Sequence, residues 1–104
     1  MSSDESLDRA LHAIADSTRR RILRALKEGA VEAKPADKGA RTANCLCAGD
    51  IEERVHLSQP TISHHMAILT KAGLVEAAKQ GQWRWYRRNE KAIRQLMKTL
   101  RSKL

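Results

Sequence analysis

The sequence predicts a mainly α-helical fold with one β-hairpin, in the order α-α-α-α-β-β-α. Three observations lead to this class: apolar residues recur at helical spacing, a short turn joins two of the helices, and two alternating runs flank a glycine. At 104 residues the chain has room for one hydrophobic core, which predicts a single domain over residues 1–104. Because the chain has no Phe, two Trp and one Tyr, this core must be aliphatic.

The first two helices are indicated by apolar stripes and by their end signals. The stripe of the first helix consists of Leu7, Leu11, Ile14 and Ala15. The stripe of the second consists of Ile22, Leu23 and Leu26. Asp16 is suited to cap the second helix, and Gly29 is expected to end it. Residues 30–44 are polar, lack periodicity and contain Pro and Gly, so they are predicted to form an exposed flexible loop.

A helix-turn-helix is predicted next. Asp50 and Glu53 have the spacing of a capping box, which predicts a short third helix from Ile51 to Val55. The following helix, residues 58–72, has Ser58 as its N-cap and ends before Gly73. Its inward face consists of Ile62, Met66 and Leu69. The opposite face is slim and polar near its start, as in the second helix of a helix-turn-helix.

The C-terminal part is predicted to form a hairpin and a last helix. Leu74 to Lys79 and Trp83 to Arg88 flank a Gln-Gly-Gln turn, and this hairpin, residues 74–88, is called the wing below. The last helix has an apolar stripe of Ile93, Leu96, Met97 and Leu100. Helices, helix-turn-helix, basic hairpin and final helix together make a winged helix-turn-helix. The exposed apolar stripe of the last helix favours a dimer.

Positive charge is concentrated toward the C-terminus. Residues 76–104 hold nine of the 20 Lys and Arg residues but two of the 12 acidic ones, and so carry +7 of the formal net charge of +8. This asymmetry suits a polyanion, either a nucleic acid or an anionic membrane face. A basic surface can also serve solubility alone, so charge by itself does not decide between these interpretations.

Three segments closely resemble a known family. ADSTRRRILRAL, LSQPTISHHM with ILTKAGLV, and GQWRWYR resemble the ArsR/SmtB family of bacterial repressors, over nearly the whole chain apart from residues 30–44. The resemblance implies a homodimer formed by the first and last helices, bound to an inverted-repeat operator in double-stranded DNA. It also implies that DNA binding requires no cofactor and that an inducer releases the protein from the operator.

The resemblance further implies which residues contact DNA. Helix 58–72 would enter the major groove, and the wing would hold the phosphate backbone. The side chains expected to bind DNA are Ser58, Gln59, Thr61, Ser63, His64, Lys71, Lys79, Arg84 and Arg87. Gln can form a paired hydrogen bond with adenine, while Ser, Thr and His can reach base edges or phosphates.

Several neighbouring residues have two interpretations. His64 points away from the predicted core, which favours a DNA contact over a plain surface role. His65 lies nearer the buried side and is expected either to pack or to brace the turn. Arg88 falls where the family usually has an apolar residue, which leaves its role open. Trp83 and Trp85 are interpreted as hairpin packing rather than base stacking.

The two cysteines of the chain, Cys45 and Cys47, lie directly before the third helix. Many family members sense metals or metalloids through C-x-C at the start of that helix, followed by Asp-Leu. Here the order is C-L-C-A-G-D-I, which is shifted outward by two residues. In an extended segment, thiolates at i and i+2 project to the same side, where they could hold one thiophilic ion such as arsenite, antimonite, zinc or cadmium.

Two thiolates do not complete a tetrahedral metal site. The further ligands considered are Asp50, His56, His12 or a residue of the partner subunit's N-terminal arm. A redox-responsive repressor, in which the thiols are oxidised, is an alternative, although a disulfide between i and i+2 is strained. The third interpretation is that the cysteines have no sensory role.

The sequence favours a sequence-specific repressor over other classes. A nonspecific architectural nucleic-acid-binding protein would bind random and operator DNA alike. An enzyme has little support, since no Gly-rich phosphate loop or catalytic spacing stands out. A peripheral membrane role would rest on the basic last helix. No apolar run reaches about 18 residues, and the acidic N-terminus is unlike a secretory signal, so we expect a cytoplasmic protein with reduced thiols.

Overall fold

The computed structural model describes residues 3–32 and 45–104, with the side chains of residues 4–29 and 45–104. The elements are α1 (Ser3–Ile14), α2 (Ser17–Glu32), β1 (Leu46–Cys47), α3 (Ala48–Val55), α4 (Gln59–Lys71), β2 (Val75–Gln80), β3 (Trp83–Arg88) and α5 (Glu90–Lys103). This is the predicted order with one additional strand, β1.

Helix α1 buries small side chains rather than its predicted stripe. Ala10 and Ala13 are buried, whereas the predicted stripe residues Leu7, Leu11 and Ile14 are only half-buried and Ala15 is exposed. The stripe therefore lies beside the centre of the buried face, where it is partly open to solvent. In the next helix the prediction of a cap at Asp16 is confirmed, since its Oδ1 accepts a hydrogen bond from the backbone N–H of Arg19 at 3.1 Å.

Helix α2 does not end at Gly29, as predicted, but continues to Glu32. A Cβ at position 29 would lie 2.5 Å from Cδ1 and 3.0 Å from Cγ of Leu46. Glycine at this position therefore makes room for the buried Leu46 side chain instead of ending the helix. The predicted loop 30–44 is wrong for residues 30–32, which are helical, and the rest of it lies outside the described residues.

The sequence did not predict strand β1. It pairs antiparallel with β3, so that Leu46 lies opposite Tyr86 and Cys47 lies opposite Trp85. A strand of two residues is too short to show alternation, which is why the sequence pattern does not reveal it.

Helix α3 begins at Ala48 and not, as predicted, at Ile51. Cys47 is the N-cap, and Asp50 is the third residue of the helix rather than its cap. The Asp50 carboxylate accepts a hydrogen bond from the backbone N–H of Cys47 at 3.3 Å, and the thiol of Cys47 lies 3.2 Å from the same oxygen. The capping box thus joins Cys47 with Asp50, and the predicted pairing of Asp50 with Glu53 is wrong.

A tight turn joins α3 to α4. His56 ends α3 in the left-handed conformation, with φ of 58°. Ser58 is the N-cap of α4, with Pro60 in the first turn, and Gly73 follows the helix with φ of +79°. The inward face predicted for this helix is buried: Ile62, Met66 and Leu69.

The wing contains the central strand of a three-stranded sheet in the order β1-β3-β2. Gln80 pairs with Trp83, so the turn consists of Gly81 and Gln82 and is one residue shorter than predicted. Gly81 has φ of +62°, which suits the first position of a two-residue hairpin turn.

Helix α5 closes the core but leaves part of its apolar stripe uncovered. Leu96 is buried, Ile93 and Leu100 are half-buried, and Met97 is 53% exposed. The Nζ of Lys103 lies 3.1 Å from a carboxylate oxygen of Asp4, which joins the end of α5 to the start of α1. Among the residues that the structure describes, no helix is long and apolar enough to cross a membrane.

Candidate nucleic-acid interface and cysteine site

The outward face of α4 displays polar side chains. All of the residues assigned to DNA on this helix and its cap are exposed: Ser58, Gln59, Thr61, Ser63, His64 and Lys71. The hydroxyl oxygens of Ser58 and Thr61 are 3.0 Å apart and share a hydrogen bond at the N-terminal end of the helix. Because the buried residues of α4 occupy its other side, these side chains project from the protein surface.

The two adjacent histidines of α4 have different environments. His64 is exposed, whereas His65 is half-buried and its Nδ1 lies 3.3 Å from Nη1 of Arg19. Since arginine can only donate, Nδ1 of His65 must accept, which requires a neutral imidazole. Burial lowers the pKa of His65, and the Arg19 guanidinium acts in the same direction, against the Asp16 carboxylate. His65 therefore packs against α2 through Arg19, and the described contacts do not join it to the turn.

Arg19 is a functional candidate that the sequence analysis missed. It is the one buried charged residue among the side chains that the structure describes, with 6% exposure. Its Nε donates to the carbonyl of Ala13 at 2.6 Å, and its Nη2 donates to that of His12 at 3.1 Å. Carbonyls in the last turn of a helix lack hydrogen-bond donors within the helix. Arg19 donates hydrogen bonds to two of these carbonyls in α1. The available signal was its spacing: an arginine three residues before the core residue Ile22 lies on the same face of the helix.

Two cationic side chains of the wing lie opposite each other on neighbouring strands. Lys79 and Arg84 are directly opposite each other in the register of β2 and β3, and both are exposed. Arg87 differs, because its Nε donates to the carboxylate of Glu76, its cross-strand partner, at 3.0 Å. The charge of Arg87 is thus partly neutralised within the wing.

Arg88 joins the wing to two helices. Its side chain is 14% exposed, its Nε lies 2.9 Å from the Glu90 carboxylate, and its Nη1 donates to the carbonyl of Leu23 at 3.4 Å. Arg88 is thus held between α2, β3 and α5 and is oriented into the protein.

The cysteines lie in a small buried cluster next to the wing. Cys45, Cys47 and Trp85 are each no more than 3% exposed and pack together apart from the main core. Both thiols are free of disulfides. The indole N–H of Trp85 has no hydrogen-bond partner within the described part of the chain. Trp83, in contrast, is 44% exposed, with its ring centroid 6.2 Å from that of Trp85.

Of the further ligands considered for the cysteines, Asp50 is the one that the described residues place in contact with Cys47. His56 is at the opposite end of α3 from Cys47, about 14 Å away at about 1.5 Å per residue. The other candidate, His12, is an exposed residue of α1. Within residues 3–32 and 45–104, no group of three or more His, Cys, Asp or Glu side chains is arranged to hold a metal ion. Completion of the site by His56 or His12 therefore stays a prediction, which the described geometry of one subunit does not support.

Comparison with known proteins identifies the family. The family model described as a helix-turn-helix domain matches residues 14–77. The transcriptional repressor SdpR of Bacillus subtilis is 35% identical over 83 residues, which cover 80% of this chain and 76% of SdpR. An arsenical resistance operon repressor of Staphylococcus aureus is 40% identical over 55 residues, or 53% of each protein. This chain belongs to the ArsR family of helix-turn-helix transcriptional regulators.

Solved structures agree with this family in fold. The crystal structure of an ArsR family transcriptional regulator, RHA00566, matches with a TM-score of 0.74 and 20% identity, over 98% of this chain and 90% of that chain. The solution structure of a homodimeric winged helix-turn-helix DNA-binding domain from Mycobacterium bovis has a TM-score of 0.69 and 22% identity, over 96% of this chain and 84% of that one. The predicted family and the winged helix-turn-helix class are confirmed, and the family is one of DNA-binding transcription regulators, not of enzymes.

Proposed function

We propose that this chain is a homodimeric repressor that binds an inverted-repeat operator and leaves it when a thiophilic metal or metalloid ion binds at Cys45 and Cys47. DNA binding requires no cofactor in this proposal. The observation that supports it best is the exposed polar row on α4 beside a wing with two opposed cations. The named relatives are repressors, one of them of an arsenical resistance operon.

In this proposal α4 reads bases from its N-terminal half. Gln59 is in its first turn and has an exposed amide, which can form a paired hydrogen bond with an adenine. Ser63 and His64 follow on the exposed face, within reach of base edges or phosphates. Ser58 and Thr61 already share a hydrogen bond, so their oxygens are pre-positioned at the end of the helix that would enter the groove.

The wing and the end of α4 supply the phosphate contacts. Like charges directly opposite each other weaken a strand pair, so Lys79 and Arg84 destabilise the free wing. A phosphate between them would neutralise both, which makes them the strongest phosphate candidates. Arg87 can contribute only by sharing its charge with Glu76, and Lys71 would act at the far end of α4.

The proposed dimer interface consists of α1 and α5. Met97 is exposed on α5, and an apolar cavity of about 310 Å³ lies between the two helices, lined by Leu7, Ala10 and Leu96 among others. A second copy placed here would cover the half-buried stripes of both helices. Such a dimer presents two copies of α4, as an inverted-repeat operator requires.

The proposed sensory site is supported by its position. Cys47 is the N-cap of α3, the first helix of the helix-turn-helix, and it is opposite Trp85 on the wing strand β3. An ion bound by the two thiolates would therefore act on α3 and on the wing at once. In this proposal the Asp50 carboxylate beside Cys47, or a group of the partner subunit, completes the coordination. The coupling needed for release is about 1–3 kcal/mol.

The experiment measures release from DNA. A labelled duplex from the region upstream of the chain's own gene is bound to the full-length protein, then titrated with arsenite, antimonite, zinc, cadmium and peroxide. We expect release by one of the soft ions and none in Cys45→Ser/Cys47→Ser. Cys47→Ser is a matched variant in itself, because serine is a good N-cap and preserves the start of α3 while removing the thiol.

The outcomes separate the competing interpretations. Release of the double variant by the same ion as the wild type would remove these thiols from the mechanism. Release by peroxide that a thiol reductant reverses would show that the protein responds to oxidation of its thiols and not to a bound ion. Equal affinity for the upstream duplex and a random duplex would favour a nonspecific architectural protein.

A further inference from the structure

Arg19 connects three parts of the fold at one buried point. Its guanidinium donates to the carbonyls of Ala13 and His12 at the end of α1, and it lies 3.9 Å from the carboxylate of Asp16 in the turn before α2. The nitrogen nearest to Asp16 is Nη1, which also reaches His65 on α4 at 3.3 Å. Nε and Nη2 therefore bind the end of α1, while Nη1 faces both the turn and α4.

The end of α1 is held by arginines of α2. Arg20 adds a hydrogen bond to the carbonyl of Ile14 at 2.6 Å, next to the two carbonyls that Arg19 binds. A cation at the C-terminal end of a helix also interacts favourably with the helix dipole. A movement of the end of α1 consequently moves Arg19, because three of its four contacts belong to α1 or to the turn that follows it.

His65 connects Arg19 to the exposed face of α4. The rings of His65 and His64 are in edge-to-face contact, with centroids 5.4 Å apart and planes inclined at 63°. His64 is one of the side chains proposed to contact DNA. A continuous path thus runs from the end of α1 through Arg19 and His65 to His64.

We propose that Arg19 and His65 are positioning residues for operator binding, which fix the DNA-reading face of α4 to the C-terminal end of α1. The inference rests on the proposed operator binding, and α1 is the helix proposed for the dimer interface. Arg19 and His65 do not touch DNA in this arrangement. They set the angle at which each subunit presents α4, and they couple that angle to the packing of α1 in the dimer.

The test uses variants that separate the hydrogen bond from the bulk of the side chain. The amide oxygen of asparagine can take the place of Nδ1 and accept from Arg19, whereas leucine cannot accept and glutamine places its oxygen farther out. Asparagine and histidine have similar helix propensities, below those of leucine and glutamine. If His65→Asn keeps its DNA affinity while His65→Leu and His65→Gln lose it, the difference therefore reflects the hydrogen bond and not helix propensity. Arg19→Lys retains the charge but loses the fork of donors.

Affinities of the full-length variants are measured by fluorescence anisotropy with the upstream duplex and with a random duplex of equal length. At about pH 8 we expect His65→Leu and Arg19→Lys to bind the upstream duplex about tenfold more weakly, the loss expected from one hydrogen bond to a charged group. The random duplex should be affected less. His65→Asn should remain within about twofold of the wild type.

A pH series of affinity, with folding checked by circular dichroism at each pH, separates DNA binding from the pH dependence of stability. The charged and titratable groups facing His65 are Asp16 from the turn, Arg19 from α2 and His64 on its own helix. Protonation of His65 removes the acceptor and repels Arg19, so the wild type should lose affinity relative to His65→Asn as the pH falls below 6.5. Both proteins retain His64, so a difference between their profiles is due to the side chain at position 65.

The following results would overturn the inference or the proposed operator binding on which it rests. A His65→Leu variant with wild-type affinity would overturn it, as would a His65→Asn variant that is as weak as His65→Leu or that follows the wild-type pH profile. If His65→Leu does not fold, as judged by circular dichroism, His65→Gln takes its place with the same expectations. A wild type that does not prefer its upstream duplex would instead refute the proposed operator binding.

Discussion

At the scale of single residues, three side chains have structural roles that their residue types did not suggest. Gly29 lies within a helix because Leu46 occupies the space beside it. Cys47 caps a helix with a thiol, and Arg19 is buried as a charge. Each role depends on a neighbour distant in sequence or on an unusual cap, which local propensities do not register.

The Gly29 contact can be tested by a double-mutant cycle. Gly29→Ala should lower the free energy of unfolding by about 1 kcal/mol, because crowding against Leu46 exceeds the gain in helix propensity. In a Leu46→Ala background, the same change should raise the free energy by about 0.5–1 kcal/mol, since the crowding is gone. Urea unfolding measures both values. An equal effect in the two backgrounds would show that the two residues do not interact.

The lowered pKa of His65 predicts how stability depends on pH. The folded state binds the proton less readily than the unfolded state, whose His has a pKa of about 6.5. Stability should therefore be complete above that value and decrease as the pH falls through it toward the lower pKa of the folded state. Urea unfolding between about pH 8 and about pH 5.5 measures this slope, which should be shallower in His65→Asn. Identical slopes would contradict the assignment.

At the scale of secondary-structure elements, sequence periodicity predicted every helix found in residues 3–32 and 45–104, and the hairpin, but not all of their ends. The predicted inward face of α4 and the end of that helix before Gly73 agree with the structure. Strand β1 and the true start of α3 were missed, because a two-residue strand has no pattern and a cysteine cap is uncommon. Helical spacing indicated the outward face of α4, whereas the assignment of its side chains to DNA came from the family resemblance. The pairing of Arg87 with Glu76 required the strand register.

The wing offers a prediction about phosphate contacts. Lys79→Ala/Arg84→Ala should weaken binding to the upstream and random duplexes to a similar extent, and it should reduce the slope of log affinity against log salt by about 2. Binding titrations at several salt concentrations measure this. Lys27→Ala removes an exposed charge of α2 that is not assigned to DNA and is the matched control. A change confined to the upstream duplex would point to base contacts by the wing instead.

At the scale of the whole molecule, the single chain leaves apolar surface on α1 and α5 that a second copy would cover. Met97→Glu should therefore convert the protein to a monomer and weaken operator binding by at least about tenfold, because a charge would be buried in the proposed interface. Analytical ultracentrifugation and anisotropy measure the two effects. Met97→Leu retains an apolar side chain of similar volume and should remain dimeric. A Met97→Glu dimer of wild-type affinity would exclude this surface as the interface.

Sequence-specific DNA binding is the central claim, and one comparison tests it most directly. The affinity of the full-length protein is measured by anisotropy for its own upstream duplex and for a random duplex at physiological salt, alongside Gln59→Ala. We predict at least about a thousandfold preference for the upstream duplex in the wild type. Gln59→Ala should reduce that preference by about 1–3 kcal/mol. Equal affinities of the wild type for the two duplexes would contradict the account.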